Sequence, residues 1–123
     1  MGGKKSWYIV DGYRPPIKPS KDISYEGHEC IMILNTNSAN ANVKINIYYE
    51  DKEPVEGIPL TVPAKRIFAF RSSDDKVLGG IKLDVSEQYS LCITSDVDIV
   101  VQYGRLDVQQ SNLAYLALMG YSE

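Results

Sequence analysis

The chain has 123 residues, with 13 Lys and Arg against 16 Asp and Glu and a net charge of −3, a length that fits one domain (1–123) around one core. Its 44% hydrophobic and 24% charged fractions exclude a disordered chain, and its mild acidity disfavours nucleic acid as a partner, because attraction to phosphates needs a basic patch. Ten Val and twelve Ile against nine Leu and six Ala, with nine Tyr besides, point to an all-β fold, since branched and aromatic side chains suit a pleated surface.

Strand-like runs follow one another from residue 6 onwards. The first, residues 6–10, contains Trp7-Tyr8-Ile9-Val10, too short for a signal-peptide core. No stretch reaches the length of a membrane span, so a cytoplasmic location is expected. Asp11-Gly12-Tyr13-Arg14-Pro15-Pro16, continuing to Pro19-Ser20, predicts a surface loop, because proline supplies no ladder donor. Residues 29–34 are apolar on both faces, the pattern of a central strand covered on each side. Residues 35–40 are turn formers.

The clearest alternation lies at 42–49. There Val43, Ile45, Ile47 and Tyr49 share one face, and Lys44, Asn46 and Tyr48 the other. Residues 50–54 form a charged loop. Runs at 58–62 and 65–71 flank a tight connection at Pro63-Ala64. Residues 72–80 are turn-like, and a weak strand is expected at 81–85. Residues 89–94 and 97–103 read as two strands separated by Ser95-Asp96. In the tail, Leu113, Leu116 and Ala117 have helical spacing, but Leu113, Tyr115, Ala117 and Met119 also alternate. The strand reading is favoured over the helix, and its two apolar faces suit an edge covered by another subunit. Closely spaced short runs without a long helix predict an antiparallel β-sandwich of about eight short strands. Its core is expected to take Val43, Ile45, Ile47, Leu91, Ile93, Ile99 and Val101.

Little in the chain supports catalysis. The one histidine, His28, precedes Glu29, and adjacent strand residues point to opposite faces, so the two do not converge on one substrate atom. One His with the separated Cys30 and Cys92 offers no metal-ligand spacing, and both cysteines read as reduced thiols. Gly79-Gly80 lacks the following Lys-Ser/Thr of a phosphate loop, and no G-x-S-x-G elbow occurs. No enzyme activity, metal or cofactor is expected.

Binding fits the residues better. Tyr49 and Tyr103 alternate in phase with aliphatics and read as core, whereas Trp7, Tyr13 and Tyr48 are freer to stack on a ligand or anchor an interface. Arg105-Leu106-Asp107 follows a strand end, where Arg and Asp form either a structural ion pair or a grip on a polar ligand.

The order of these blocks resembles the sensory rhodopsin transducer family. Trp7 with Asp11-Gly12-Tyr13-Arg14-Pro15-Pro16 comes first, then His28-Glu29 before Ile33-Leu34-Asn35. Ile47-Tyr48-Tyr49-Glu50-Asp51-Lys52-Glu53-Pro54-Val55 and Leu60-Thr61-Val62-Pro63-Ala64-Lys65-Arg66 follow, and Ile99-Val100-Val101-Gln102 and Arg105-Leu106-Asp107 close the series. The chain departs from the family pattern at 71–85, and it carries Tyr103-Gly104 where a family member has His-Thr. The resemblance implies a cytoplasmic homotetramer of antiparallel β-sandwiches, similar to sugar-binding modules, that works in signalling. Three functions compete: a transducer docking on a membrane photoreceptor, a sensor of a small sugar-like ligand without a rhodopsin, and a DNA-associated regulator, which the negative charge disfavours. The expected contacts for ligand or partner are Trp7 as aromatic platform, Arg105 and Asp107 as charged groups, and His28 as a neutral donor or acceptor, joined by Tyr13, Glu29 and Tyr48.

Overall fold

Antiparallel pairing accounts for every strand of the computed structural model, which describes residues 2–16, 26–108 and 114–123 and contains no helix among them. The strands are β1 (Lys4–Tyr13), β2 (His28–Asn35), β3 (Ala41–Tyr49), β4 (Val55–Val62), β5 (Arg66–Arg71), β6 (Gln88–Asp107), β7 (Ala114–Met119) and β8 (Tyr121–Ser122). They form two layers, ordered β4-β3-β6-β1-β8 and β5-β2-β6-β7, which meet in β6. The all-β antiparallel architecture is the one expected from composition and alternation.

The two strands expected at 89–94 and 97–103 are one strand of 20 residues. Its first half pairs with β3 and β1 as far as Ser95 and Ile99, and from Val100 onward it pairs with β2. Ser95-Asp96 does not turn, because Asp96 spends its carboxylate across the sheet: it accepts from Asn42 N–H at 2.9 Å and Asn42 Nδ2 at 2.8 Å. Asn37 Nδ2 donates to Asp98 O at 2.7 Å and holds the crossing from the other side.

Side-chain phase survives the crossing. Leu91, Ile93, Ile99 and Val101 of β6 join Val43, Ile45 and Ile47 of β3 in the core, none more than 2% exposed. Tyr103 is equally buried, and Tyr49 packs against the same cluster.

Four further expectations need correction. No strand forms at 81–85, because the backbone there bonds locally, through Ile81 N–H to Leu78 O and Glu87 N–H to Asp84 O. Leu78 and Leu83 are nevertheless buried, and they plug the core from this irregular segment. The loop expected from Asp11 begins only at Arg14, since Asp11 to Tyr13 carry donors and continue β1 past a bulge between Ile9 and Gly12. Gly12 is needed there: a Cβ would lie 2.6 Å from the Tyr89 ring. The remainder of that loop, Pro19-Ser20 included, lies outside the described residues.

The third correction concerns β2. It is central, between β5 and β6, but covered on one face only, with Cys30 and Met32 half-buried and Leu34 exposed on the other. The fourth is Trp7, which is not free. It belongs to the core, because it shares the inward face of β1 with Ile9, and its indole N–H donates to Lys4 O and Ile99 O, each at 3.0 Å.

Of the two readings of the tail, the structure shows the favoured one, a strand. β7 adds to the edge of β6 with all six residues exposed, while Leu113 lies outside the described residues. At Gly120 the chain crosses to the other layer, where β8 pairs with Trp7 and Tyr8 of β1.

Candidate functional site

An acidic residue at a core position organises one end of the sandwich. Glu29 shares the inward face of β2 with Ile31 and Ile33 and is 1% exposed. A buried carboxylate is costly unless its oxygens are hydrogen-bonded. Oε1 accepts from Ser72 Oγ at 2.7 Å and from Tyr89 Oη at 2.8 Å. Oε2 accepts from the Tyr13 N–H at 2.7 Å and from the Tyr103 hydroxyl. Four donors fill the lone-pair positions of the two oxygens.

These donors come from distant parts of the chain. Tyr89 and Tyr103 belong to the two halves of β6, one on each layer, Tyr13 ends β1, and Ser72 follows β5. Burial raises both tyrosine pKa values above the ordinary phenol value, and the charge and hydrogen bonds of Glu29 raise them further. Both phenols therefore stay protonated and remain donors.

Arg105 lies opposite Glu29 in the β2–β6 register. Its side chain is 16% exposed, its guanidinium sits 5.4 Å from the centre of the Tyr13 ring, and Nη2 is 3.7 Å from Asp11 Oδ2. Asp107, two residues further along the same face, is half-buried. Tyr13, Glu29, Arg105 and Asp107 thus lie at one rim.

The other expected site residues go elsewhere. His28 and Glu29 point to opposite faces as their adjacency requires, and His28 Nδ1 contacts Glu26 O at 3.0 Å. The oxygen there is a carbonyl, so Nδ1 carries the proton. Tyr48 stands on the outer face of β3, paired with Ser90 and 41% exposed. Trp7 lies in the core.

Sequence reasoning missed Ser72, Tyr89 and the hydroxyl of Tyr103 as partners of Glu29. One signal was present, a glutamate in phase with Ile31 and Ile33. Ser72 gave none, because its place depends on β5 pairing with β2.

Among the described residues no group of three His, Cys, Asp or Glu is placed to hold a metal. Cys30 and Cys92 are free thiols, both raised above the ordinary thiol pKa, chiefly by burial. No helix among those residues is long and apolar enough to cross a membrane. Chemically, the rim offers a positioned guanidinium, an aromatic face and carboxylates, the groups of a polar recognition surface.

Comparison with known proteins agrees with this fold. The family described as Anabaena sensory rhodopsin transducer matches residues 2–122. A solved structure of Thermotoga maritima 1070 is 28% identical, covers 100% of this chain and 97% of its own, and superposes with a TM-score of 0.82. A solved structure of the Anabaena sensory rhodopsin transducer is 37% identical, covers 83% of this chain and 82% of its own, and gives a TM-score of 0.68. No curated protein matches.

Proposed function

Because this chain belongs to the Anabaena sensory rhodopsin transducer family, we propose that it is a non-catalytic signalling protein that relays a signal by binding. It acts in the cytoplasm as a homotetramer, and its partner is the cytoplasmic face of a sensory rhodopsin. The name of its 37% identical relative supports the partner. The observation that carries the binding surface is Arg105, a cation set at the sandwich rim against Tyr13 and only loosely paired with the exposed Asp11. Asp107 flanks it, and Glu29 positions the Tyr13 backbone beneath it.

The assembly draws support from the outer face of the β5-β2-β6-β7 layer. Leu34, Ile67, Tyr115 and Met119 stand exposed there, an apolar surface that further copies of the chain would cover. One observation favours a second reading, a sensor of a small polar ligand: an arginine whose side chain is only 16% exposed is better reached by a small molecule than by a flat protein surface.

Arg105→Ala tests the rhodopsin reading. Binding to a purified sensory rhodopsin in nanodiscs, measured by interferometry, is lost while the melting temperature holds. A melting point lowered by the equivalent of roughly 1–3 kcal/mol with binding intact would show instead that Arg105 only pins the rim.

A further inference from the structure

On the far side of Glu29 from Arg105, the end of β5, the start of β2 and the chain leaving β1 line a cavity of about 60 Å³. It has room for a few water-sized groups and none for a sugar ring. Two arginines from different parts of the chain line it. Arg71 closes β5 beside Cys30, and Arg14 follows β1, with its Nη1 donating to Leu83 O, which anchors one end of the side chain. Ser73 adds a hydroxyl to the wall.

Glu26 lines the cavity as well, and its carboxylate is only loosely paired. Glu26 Oε2 lies 3.6 Å from Arg71 Nη1, with both side chains about half exposed. An exposed pair at that separation contributes little, so little opposes its exchange for another carboxylate. The Glu26 backbone is held independently by His28 at 3.0 Å, and the side chain is therefore able to swing out without moving the main chain. Exchange of one carboxylate for another also preserves the local charge balance, which a phosphate dianion would not. Glu29 on the inner wall does not compete for the guanidiniums, because its oxygens are filled by four donors.

We propose that this cavity is a binding site for a small carboxylate anion, gripped between Arg71 and Arg14 in the place Glu26 now holds. The site has Glu29 in common with the Arg105 rim but does not use Arg105, and it does not depend on a rhodopsin partner.

Acetate is the probe, detected by saturation transfer to its methyl protons at constant ionic strength in chloride. Wild-type protein binds it. Arg71→Gln weakens binding about tenfold or more, as expected for loss of a charge-assisted contact, and Arg71→Lys restores part of it. Glu26→Gln strengthens binding several-fold by removing the internal competitor. Arg105→Ala leaves acetate affinity within about twofold, although it abolishes partner binding in the reading above, so the two ideas fail separately. Absence of acetate binding to the wild type overturns the proposal, as does binding that ignores Arg71→Gln and Glu26→Gln alike. Loss of acetate binding in Arg105→Ala would place the anion at the rim instead. Inorganic phosphate binding at least as tightly as acetate would overturn the carboxylate assignment.

Discussion

Replacing Tyr89 by Phe removes one donor from the buried Glu29 carboxylate while keeping the ring that packs in the core. A hydrogen bond to a charged group contributes about 1.5–3 kcal/mol, so Tyr89→Phe should cost that much near neutral pH. For a chain of this length the loss corresponds to a melting-point drop of roughly 5–15 °C. The pH dependence separates this mechanism from a simple packing change. The folded pKa of Tyr89 is raised above 10.0, chiefly by burial and then by the Glu29 charge. Above pH ~10 the unfolded chain releases the phenol proton and the folded chain keeps it, so the folded state binds more protons and wild-type stability falls as pH rises. The fall amounts to about 1.4 kcal/mol per pH unit for this one group, and the Phe variant lacks it. The gap between wild type and variant should therefore be full below pH ~10 and shrink by roughly 1.4 kcal/mol at pH ~11. Urea unfolding followed by the fluorescence of Trp7, the single and buried tryptophan, measures both curves. A gap that stays constant from pH ~8 to ~11, or one below about 0.5 kcal/mol at neutrality, refutes the reasoning.

Ile47→Ala, at a fully buried position of β3, should cost on the order of 2–5 kcal/mol in the same urea assay, and a loss near zero would mean the site collapses without leaving a cavity. Met119→Glu places a charge on the exposed outer face of β7. It should leave the stability of a single chain within about 0.5 kcal/mol but dissociate the proposed tetramer, and light scattering that gives a tetramer mass for the variant would remove this face from the proposed interface.

Residues 42–49 were legible because one face of β3 is core and the other solvent, so period-two alternation is undiluted. The seven expected core residues followed from the same contrast. The division of β6 was misread for the opposite reason. Ser95 and Asp96 carry a genuine local turn preference, and what overrides it is a pair of contacts from Asn42 and Asn37, more than fifty positions away in sequence. Trp7 misled because its residue type suits both a binding platform and a core, and only the inward phase it shares with Ile9 decides between them. At the site, Arg105 and Tyr13 were accessible to sequence reasoning as polar and aromatic residues near strand ends. The ring of donors around Glu29 was not, since four segments meet there only after both layers have formed. Arg14 and Arg71 are brought to one cavity by the same closure.

Because β6 is the shared strand of both layers, it also governs the order in which the chain is able to fold. As the polypeptide emerges from a ribosome, β1 to β5 precede β6, and the pairs available to them among the described residues are β2 with β5 and β3 with β4. Among the described residues, β1 has no strand partner until β6 and β8 arrive. The nascent chain therefore exposes two ribbons with apolar faces and unpaired edges until residues 88–107 are free, the state in which β proteins are most open to aggregation. Closure then joins both layers around a strand near the end of the chain, a high-contact-order event that makes folding slow and cooperative. Truncation anywhere before Asp107 should give no half-stable sandwich, only an unfolded chain that needs a chaperone.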